Sequence, residues 1–277
     1  MRKFTASGLL AAAIILCPSG KATAIERVVL LAPAAADIMA RLGAGDSVVG
    51  VTNNVSDFPG AAKVGTHLNP GVEKVASLRP TLIVAGPRFN PELAARMGVE
   101  LFLYDPRSLD AIIQSVRELS RKVDREKEGI ALAGELQAVL NNLAMPRHRP
   151  TALFETRSAP LSLAMRNTVI RDLLERAGMR YAYSQVSGAL SVEYLMANQP
   201  EFYLYQEGPM NKNPSPPASR PGWEIFRACS WKVDEFAFAR PNTRLFDTVR
   251  TLNEILNAND PCATGTETYR QQRETQQ

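Results

Sequence analysis

The longest run of helical periodicity in the chain lies between Ser108 and Met145. Ile112, Ile113, Val116, Leu119 and Val123 recur at three-to-four spacing, and Leu132, Leu136, Val139, Leu140 and Leu143 form a second stripe. Apolar residues at this spacing share one face of a helix, and that face has to be buried. Between the stripes stands Asp124-Arg125-Glu126-Lys127-Glu128, with Asp124 placed as an N-cap and two glutamates in the turn after it. An N-cap oxygen accepts from free backbone N–H groups, and the helix dipole favours acids there. The pattern predicts two consecutive helices that break near Val123, the second stopped by Pro146 and Pro150. The second would hold about 22 residues and, at about 1.5 Å per residue, span about 33 Å. Two architectures fit: a rigid strut between two lobes, or a core helix of a single α/β domain.

Strand and helix signals alternate on either side. Before the helical region, Arg27 to Leu31, Val48 to Val51, Lys63 to Gly65, Thr81 to Ala85 and Glu100 to Tyr104 read as strands. Ala34 to Leu42, Gly71 to Leu78 and Pro91 to Met97 read as the helices between them. Such alternation predicts a mostly parallel sheet with helices on both faces, and such sheets bind ligands at the carboxyl ends of their strands. Here those ends are Ala32-Pro33, Asn53-Asn54, Thr66-His67, Gly86 to Phe89 and Asp105 to Arg107. After the helical region the pattern restarts. Thr151 to Glu155 and Phe202 to Tyr205 read as strands, and Asn167 to Ala177, Val192 to Ala197, Trp223 to Arg227 and Leu245 to Leu256 as helices. Phe236 to Ala239 reads as a strand end, Gly208 to Gly222 as an irregular loop, and the polar stretch from Asn259 as a mobile tail.

The two halves also echo each other. Val72-Glu73 and Val192-Glu193 each have a proline seven residues after the glutamate, at Pro80 and Pro200, followed by a short apolar strand. Met39-Ala40-Arg41-Leu42-Gly43 is matched by Leu174-Glu175-Arg176-Ala177-Gly178. Repetition on both sides of the central helices favours two Rossmann-like lobes joined by one long helix, with function in the cleft between them. The divisions expected are a leader over residues 1–24, a first lobe over 25–123, a connecting helix over 124–146, a second lobe over 147–258 and a tail over 259–277.

The leader has a basic start at Arg2 and Lys3, an apolar run from Leu9 to Cys17, and the small-x-small site Ala22-Thr23-Ala24. It reads as a secretory signal peptide cut after Ala24, its apolar run too short to span a membrane. The bulky Ile15 and Leu16 ahead of Cys17 speak against a lipid-anchored cysteine. The leader holds Arg2, Lys3 and Lys21 and no acid, so its removal takes the net charge from +4 to +1. That near-neutral balance gives no footing for a nucleic-acid partner. Export also bears on Cys229 and Cys262. In an oxidising compartment the two are expected to bridge, closing a loop of about 34 residues worth roughly 4 kcal/mol in the chain-entropy model.

The chain carries no GxGxxG, P-loop, GxSxG or HExxH motif, which argues against an enzyme. It has two histidines, and no cluster of histidines and carboxylates that would bind a free metal ion. His67 falls in a loop at the cleft, whereas His148 sits among arginine and proline at the end of the second helix. No cofactor is expected; a metal would arrive already chelated. Arg88, Arg107, Arg157, Arg166 and Arg240 all fall in loops assigned to the cleft. A guanidinium presents several donors in a fixed fork that suits carboxylate, hydroxamate or oxyanion groups, although a single surface arginine is more often merely solvated. Phe58, Phe89, Tyr104 and Tyr183 could supply aromatic walls.

Residues Arg27 to Pro33 and Leu42 to Val51 resemble the opening of periplasmic binding proteins for vitamin B12 and iron-siderophore complexes. The match continues through Asp57-Phe58-Pro59, Lys63-Val64-Gly65, Leu68-Asn69-Pro70 and Arg79 to Ala85, and resumes more loosely at Thr168 to Gly178, Leu190 to Pro200, Pro221-Gly222-Trp223 and Arg240 to Leu256. The resemblance implies two α/β lobes joined by a long helix, little domain closure, and delivery of a metal chelate to an ABC importer, by a protein expected to be a monomer. It also implies that Glu73 and Glu193, one on the outer face of each lobe, form salt bridges with arginines of the membrane permease. The plain alternative is an acid at a helix start. Members that bind cobalamin wall their pocket with aromatics. Only 7% of this chain is aromatic, which tilts the expected ligand toward a ferric siderophore. Cobalamin and a molybdate-type oxyanion stay open, as does, less favoured, an exported α/β enzyme.

Overall fold

Val28, Val29 and Leu30 are wholly buried, and the chain places them at the centre of a parallel sheet. The computed structural model describes residues 26–165, 167–183 and 191–275. The signal peptide expected over residues 1–24 lies outside the described residues. In chain order the first lobe comprises β1 (Val28–Leu30), α1 (Ala36–Arg41), β2 (Val48–Val51), β3 (Ala62–Lys63), α2 (Val72–Ser77), β4 (Leu82–Ala85), α3 (Pro91–Met97) and β5 (Glu100–Leu103). The strands pair in parallel in the order β3-β2-β1-β4-β5. β1 and β4 are apolar at every position because both faces are covered, as in any parallel sheet under helices.

Two helices follow, α4 (Leu109–Lys122) and α5 (Glu126–Asn141). Ser108 caps α4 by accepting from Ala111 N at 3.1 Å. Asp124 does not cap α5. It takes a left-handed conformation (φ +54°), and the next amide, Arg125 N, reaches back to Ser120 O at 2.7 Å. That six-to-one bond is a Schellman closure, so Asp124 ends α4 rather than starting α5. The helices then pack closely at Gly129, where a Cβ would stand 2.0 Å from Ser120 Oγ. α5 is also shorter than expected. It ends at Asn141, ahead of Pro146, giving 16 residues and about 24 Å. Beyond it the buried Asn253 accepts from Ala144 N (3.0 Å) and donates to Ala144 O (2.7 Å), which holds the chain in a non-helical turn.

The second lobe comprises β6 (Thr151–Ser158), β7 (Leu161–Leu163), α6 (Val169–Ala177), β8 (Arg180–Tyr181), α7 (Val192–Ala197), β9 (Phe202–Glu207), β10 (Cys229–Asp234), α8 (Glu235–Phe238), α9 (Leu245–Leu256) and α10 (Pro261–Glu274). β10, β9 and β6 run parallel in that order; β7 joins antiparallel, and β8 pairs with the start of β6. Residues 223–227 are turns rather than a helix, and the stretch expected as a strand end near Phe236 is the helical turn α8, capped by Asp234. The polar tail is ordered as α10. Its Tyr269 is buried and Cys262 is bonded to Cys229, so one apolar face and one bridge anchor an otherwise hydrophilic segment.

A single apolar cluster runs from the first lobe (Val28, Leu30, Leu82) through α4 and α5 (Val116, Leu132, Leu136) into the second (Phe154, Leu204, Phe246). Close-packed interiors resist shear. The lobes therefore share a core through the helical pair rather than hanging on a free strut.

Candidate functional site

The carboxyl ends of both parallel sheets meet at one seam. Tyr104, just past β5, donates its hydroxyl to Pro241 O beyond α8. Asp37 on α1 accepts from Thr243 N at 2.9 Å and from Thr243 Oγ1 at 2.5 Å, and Arg41 Nη1 donates to the same Thr243 oxygen at 3.0 Å. Arg41 is further held by Glu135 on α5 at 2.7 Å. Residues on α1 and just past β5, with Arg41 braced by Glu135 of α5, thus clamp the segment that follows α8.

The structure separates the predicted residues into groups. Arg240 directly precedes Pro241, and Arg107 lies three residues beyond Tyr104, so both flank the seam. Arg107 is already paired with Asp105 at 2.7 Å. Arg88 is exposed after β4, and Arg157 is exposed near the carboxyl end of β6. Among the described residues no carboxylate lies within ion-pair distance of Arg88, Arg157 or Arg240. Arg166 lies outside the described residues. His67 is exposed in the turn that the Gly65–Pro70 bridge closes, at the sheet's outer strand β3. His148 pairs with Glu201 at the amino ends of β6 and β9, the opposite end of the second sheet from Arg157.

Three of the four aromatic walls fail. Phe58 and Tyr104 are buried in the main core. Burial drives the Tyr104 phenol far above its ordinary range, with Asp37 adding to the effect, so it serves as a neutral donor to Pro241 O. Tyr183 stacks edge-on against Tyr194, centroids 5.4 Å apart, beside α7 instead of the seam. Phe89 is half-buried against the outer cluster of the first lobe, which contains Leu31 and Ala94. In each case the sequence shows an aromatic near a strand end but not which side of the sheet its ring enters.

Two residues with no sequence signal of their own stand out instead. Phe236 on α8 is 37% exposed and Met210, after β9, is 58% exposed. Both follow carboxyl ends of second-lobe strands. The Arg240 guanidinium lies 3.7 Å from the Phe236 ring centroid, the stacked geometry in which a cation gains from the aromatic face. Glu235 ties the group together by accepting from Met210 N at 2.8 Å. Half-burial disfavours the charge on Arg240, and Glu235 and Asp234 partly offset that. An anion arriving here would recover the lost solvation. The i, i+4 spacing of Phe236 and Arg240 is the one trace of this pair in the sequence. Among the described residues no group of histidine, cysteine and carboxylate side chains could hold a metal ion. A hollow between α5 and α9, lined by Glu135, Asn142, Leu143, Arg250, Asn253 and Glu254, contains none of the predicted site residues.

The model of the periplasmic binding protein family matches residues 28–223. The chain belongs to this family. A vitamin B12-binding protein of Vibrio vulnificus is 33% identical over 131 residues, 44% of this chain and 48% of the relative. The chain spans about half the length of the Vibrio relatives it matches. Among solved structures, the apo periplasmic heme-binding protein RhuT from Roseiflexus sp. RS-1 aligns over 84% of this chain and 98% of its own, at 24% identity and a TM-score of 0.66. The periplasmic heme-binding protein HutB of Vibrio cholerae aligns over 85% of this chain and 100% of its own, at 16% identity and a TM-score of 0.71. These likenesses show the two-lobed α/β fold of the family. Among the described residues no helix is long and apolar enough to cross a membrane.

Proposed function

We propose that this chain is the solute-binding protein of an ABC importer, exported by its cleaved leader, and that it captures an anionic metal chelate at the seam without turnover. A ferric siderophore is the favoured class. The observation that carries the reading is the set of arginines without carboxylate partners, Arg88, Arg157 and Arg240, at strand ends, with Phe236 and Met210 exposed beside Arg240. Free guanidinium forks suit an anionic chelate, and the exposed ring and thioether suit its apolar body. The shared core and the Thr243 clamp favour a cleft that changes little on binding.

Delivery follows from the outer faces. Glu73 and Glu193 each stand exposed in the first turn of α2 and α7, one per lobe. Its own amide and Ser191 hold the Glu193 carboxyl below the usual range, so it is ionised at neutral pH. Two fixed carboxylates would orient the cleft over the permease, in contact with its arginines.

Fluorescence titration with ferric enterobactin, hemin, cyanocobalamin and molybdate tests the ligand. Hemin and cyanocobalamin are included because relatives and structural neighbours carry those names. Tight binding of an anionic chelate without product is expected, weakened at least tenfold, or about 1.4 kcal/mol, by Arg88→Ala with Arg240→Ala. Unchanged affinity in that pair would place the site elsewhere, and steady conversion of any probe would mean an enzyme.

A further inference from the structure

The C-terminal helix reaches the candidate site through a short chain of packed rings. α10 lies against β10, the outer strand of the second sheet. Gly265 rests on Trp231, where a Cβ would stand 2.4 Å from the indole. Trp231 Nε1 donates to Cys262 O at 3.3 Å, next to the Cys229–Cys262 bond. One turn on, the Tyr269 ring sits between Trp231 and Phe238, with centroids 5.7 and 5.8 Å away. Its hydroxyl is buried and has no hydrogen-bond partner among the described residues, so the ring rather than the hydroxyl makes the contact. Phe238 is the last residue of α8 and is held on its other side by Phe154 at 5.8 Å. The same turn carries Phe236, and Arg240, two residues beyond Phe238, is stacked on the Phe236 ring. Other ties on α8 are the Asp234 cap that accepts from Ala237 N, a bond from Thr248 Oγ1 to Ala237 O, and the bond from Met210 N to the Glu235 carboxylate, all 2.8 Å. They hold the start and middle of α8, while Phe238 at its end is flanked by the two rings.

We propose that Tyr269 is a positioning residue for the ligand site: through Phe238 it sets the tilt of α8 and so the place of Arg240 and Phe236, and the Cys229–Cys262 bond holds α10 in the register from which it does so. This rests on the ligand reading above. Loss of the ring leaves a void beside Phe238 that α8 can relax into, which moves the guanidinium without removing it. Reducing the disulfide frees the start of α10 and acts in the same direction.

The test is a double-mutant cycle between Tyr269→Ala and Arg240→Ala in the full chain, with ferric enterobactin and hemin as probes. Tyr269→Ala alone should raise Kd about fivefold or more, Tyr269→Phe should keep the wild-type value, and Tyr269→Ala should cost much less once Arg240 is gone, the remainder being what Phe236 contributes. Such non-additivity marks coupling between the two residues, which a merely structural loss would not produce. If Tyr269→Ala does not fold, Tyr269→Leu and the wild type reduced with a phosphine take its place, with the same expected direction. Wild-type Kd in these variants, or an additive cycle, overturns the inference while leaving the ligand reading intact. Failure of the wild type to bind either chelate sinks both.

Discussion

Glu155 is the most deeply buried carboxylate described, with no solvent exposure, on the central strand β6. Arg220 meets it with both terminal nitrogens, Nη1 to Oε2 at 2.5 Å and Nη2 to Oε1 at 3.0 Å. Tyr203 donates its hydroxyl to Oε2 at 2.6 Å, and burial together with the Glu155 charge pushes that phenol well above its ordinary pKa. The guanidinium also lies over Trp223 at 4.9 Å and Tyr205 at 5.7 Å. Arg220→Ala would leave the carboxylate with Tyr203 and a long contact from Asn211 at 3.5 Å. Stripping one partner from a buried pair costs about 3–5 kcal/mol. For a chain of this size, at about 2–4 °C per kcal/mol, that is a fall in Tm of roughly 6–20 °C. Urea denaturation followed by tryptophan fluorescence should show a lower midpoint at unchanged slope. The double change Glu155→Gln with Arg220→Met removes both charges at similar volume and should recover most of the loss, because such replacements are often neutral. A cost below about 1 kcal/mol for Arg220→Ala, or a double variant no better than the single, would refute the view that an uncompensated charge sets the penalty.

Two further outcomes can be checked. Glu73→Ala with Glu193→Ala should abolish uptake and permease binding in reconstituted vesicles while leaving ligand affinity intact; wild-type uptake would remove the docking role. Glu201 governs part of the acid limb. Partial burial opposes its ionisation, but hydrogen bonds from Thr151 and His148 outweigh this and hold its carboxyl below the usual range. Its stabilisation is therefore complete above the unfolded glutamate pKa of about 4.3 and is lost as pH falls through the lower folded value. Glu201→Gln should flatten the stability profile below about pH 4.5 and leave the profile's shape unchanged near pH 7; an unaltered acid limb would contradict the assignment.

Periodicity alone determined much of this protein. The buried runs Val28 to Leu30 and Leu82 to Ala85 and the glycines Gly43 and Gly178 that follow α1 and α6 are local signals, because each depends on residues within a turn or two. The Cys229–Cys262 bridge was also legible, since the expected leader implies an oxidising compartment and, with Cys17 assigned to that leader, only one pairing was open. What required the tertiary structure lies between residues far apart in sequence. Asp124 looked like a cap for the helix ahead, and the Arg125-to-Ser120 bond made it the end of the helix behind. The tail looked soluble and mobile, because one tyrosine among polar residues has no amphipathic signal until Trp231 and Phe238 are placed against it. The same holds for the site. That arginines gather at strand ends could be read from the chain. That Arg107 is already paired with Asp105, that Tyr104 turns inward to Pro241, and that Phe236 rises under Arg240 depends on which face of each sheet a side chain enters, and packing across the whole molecule decides that.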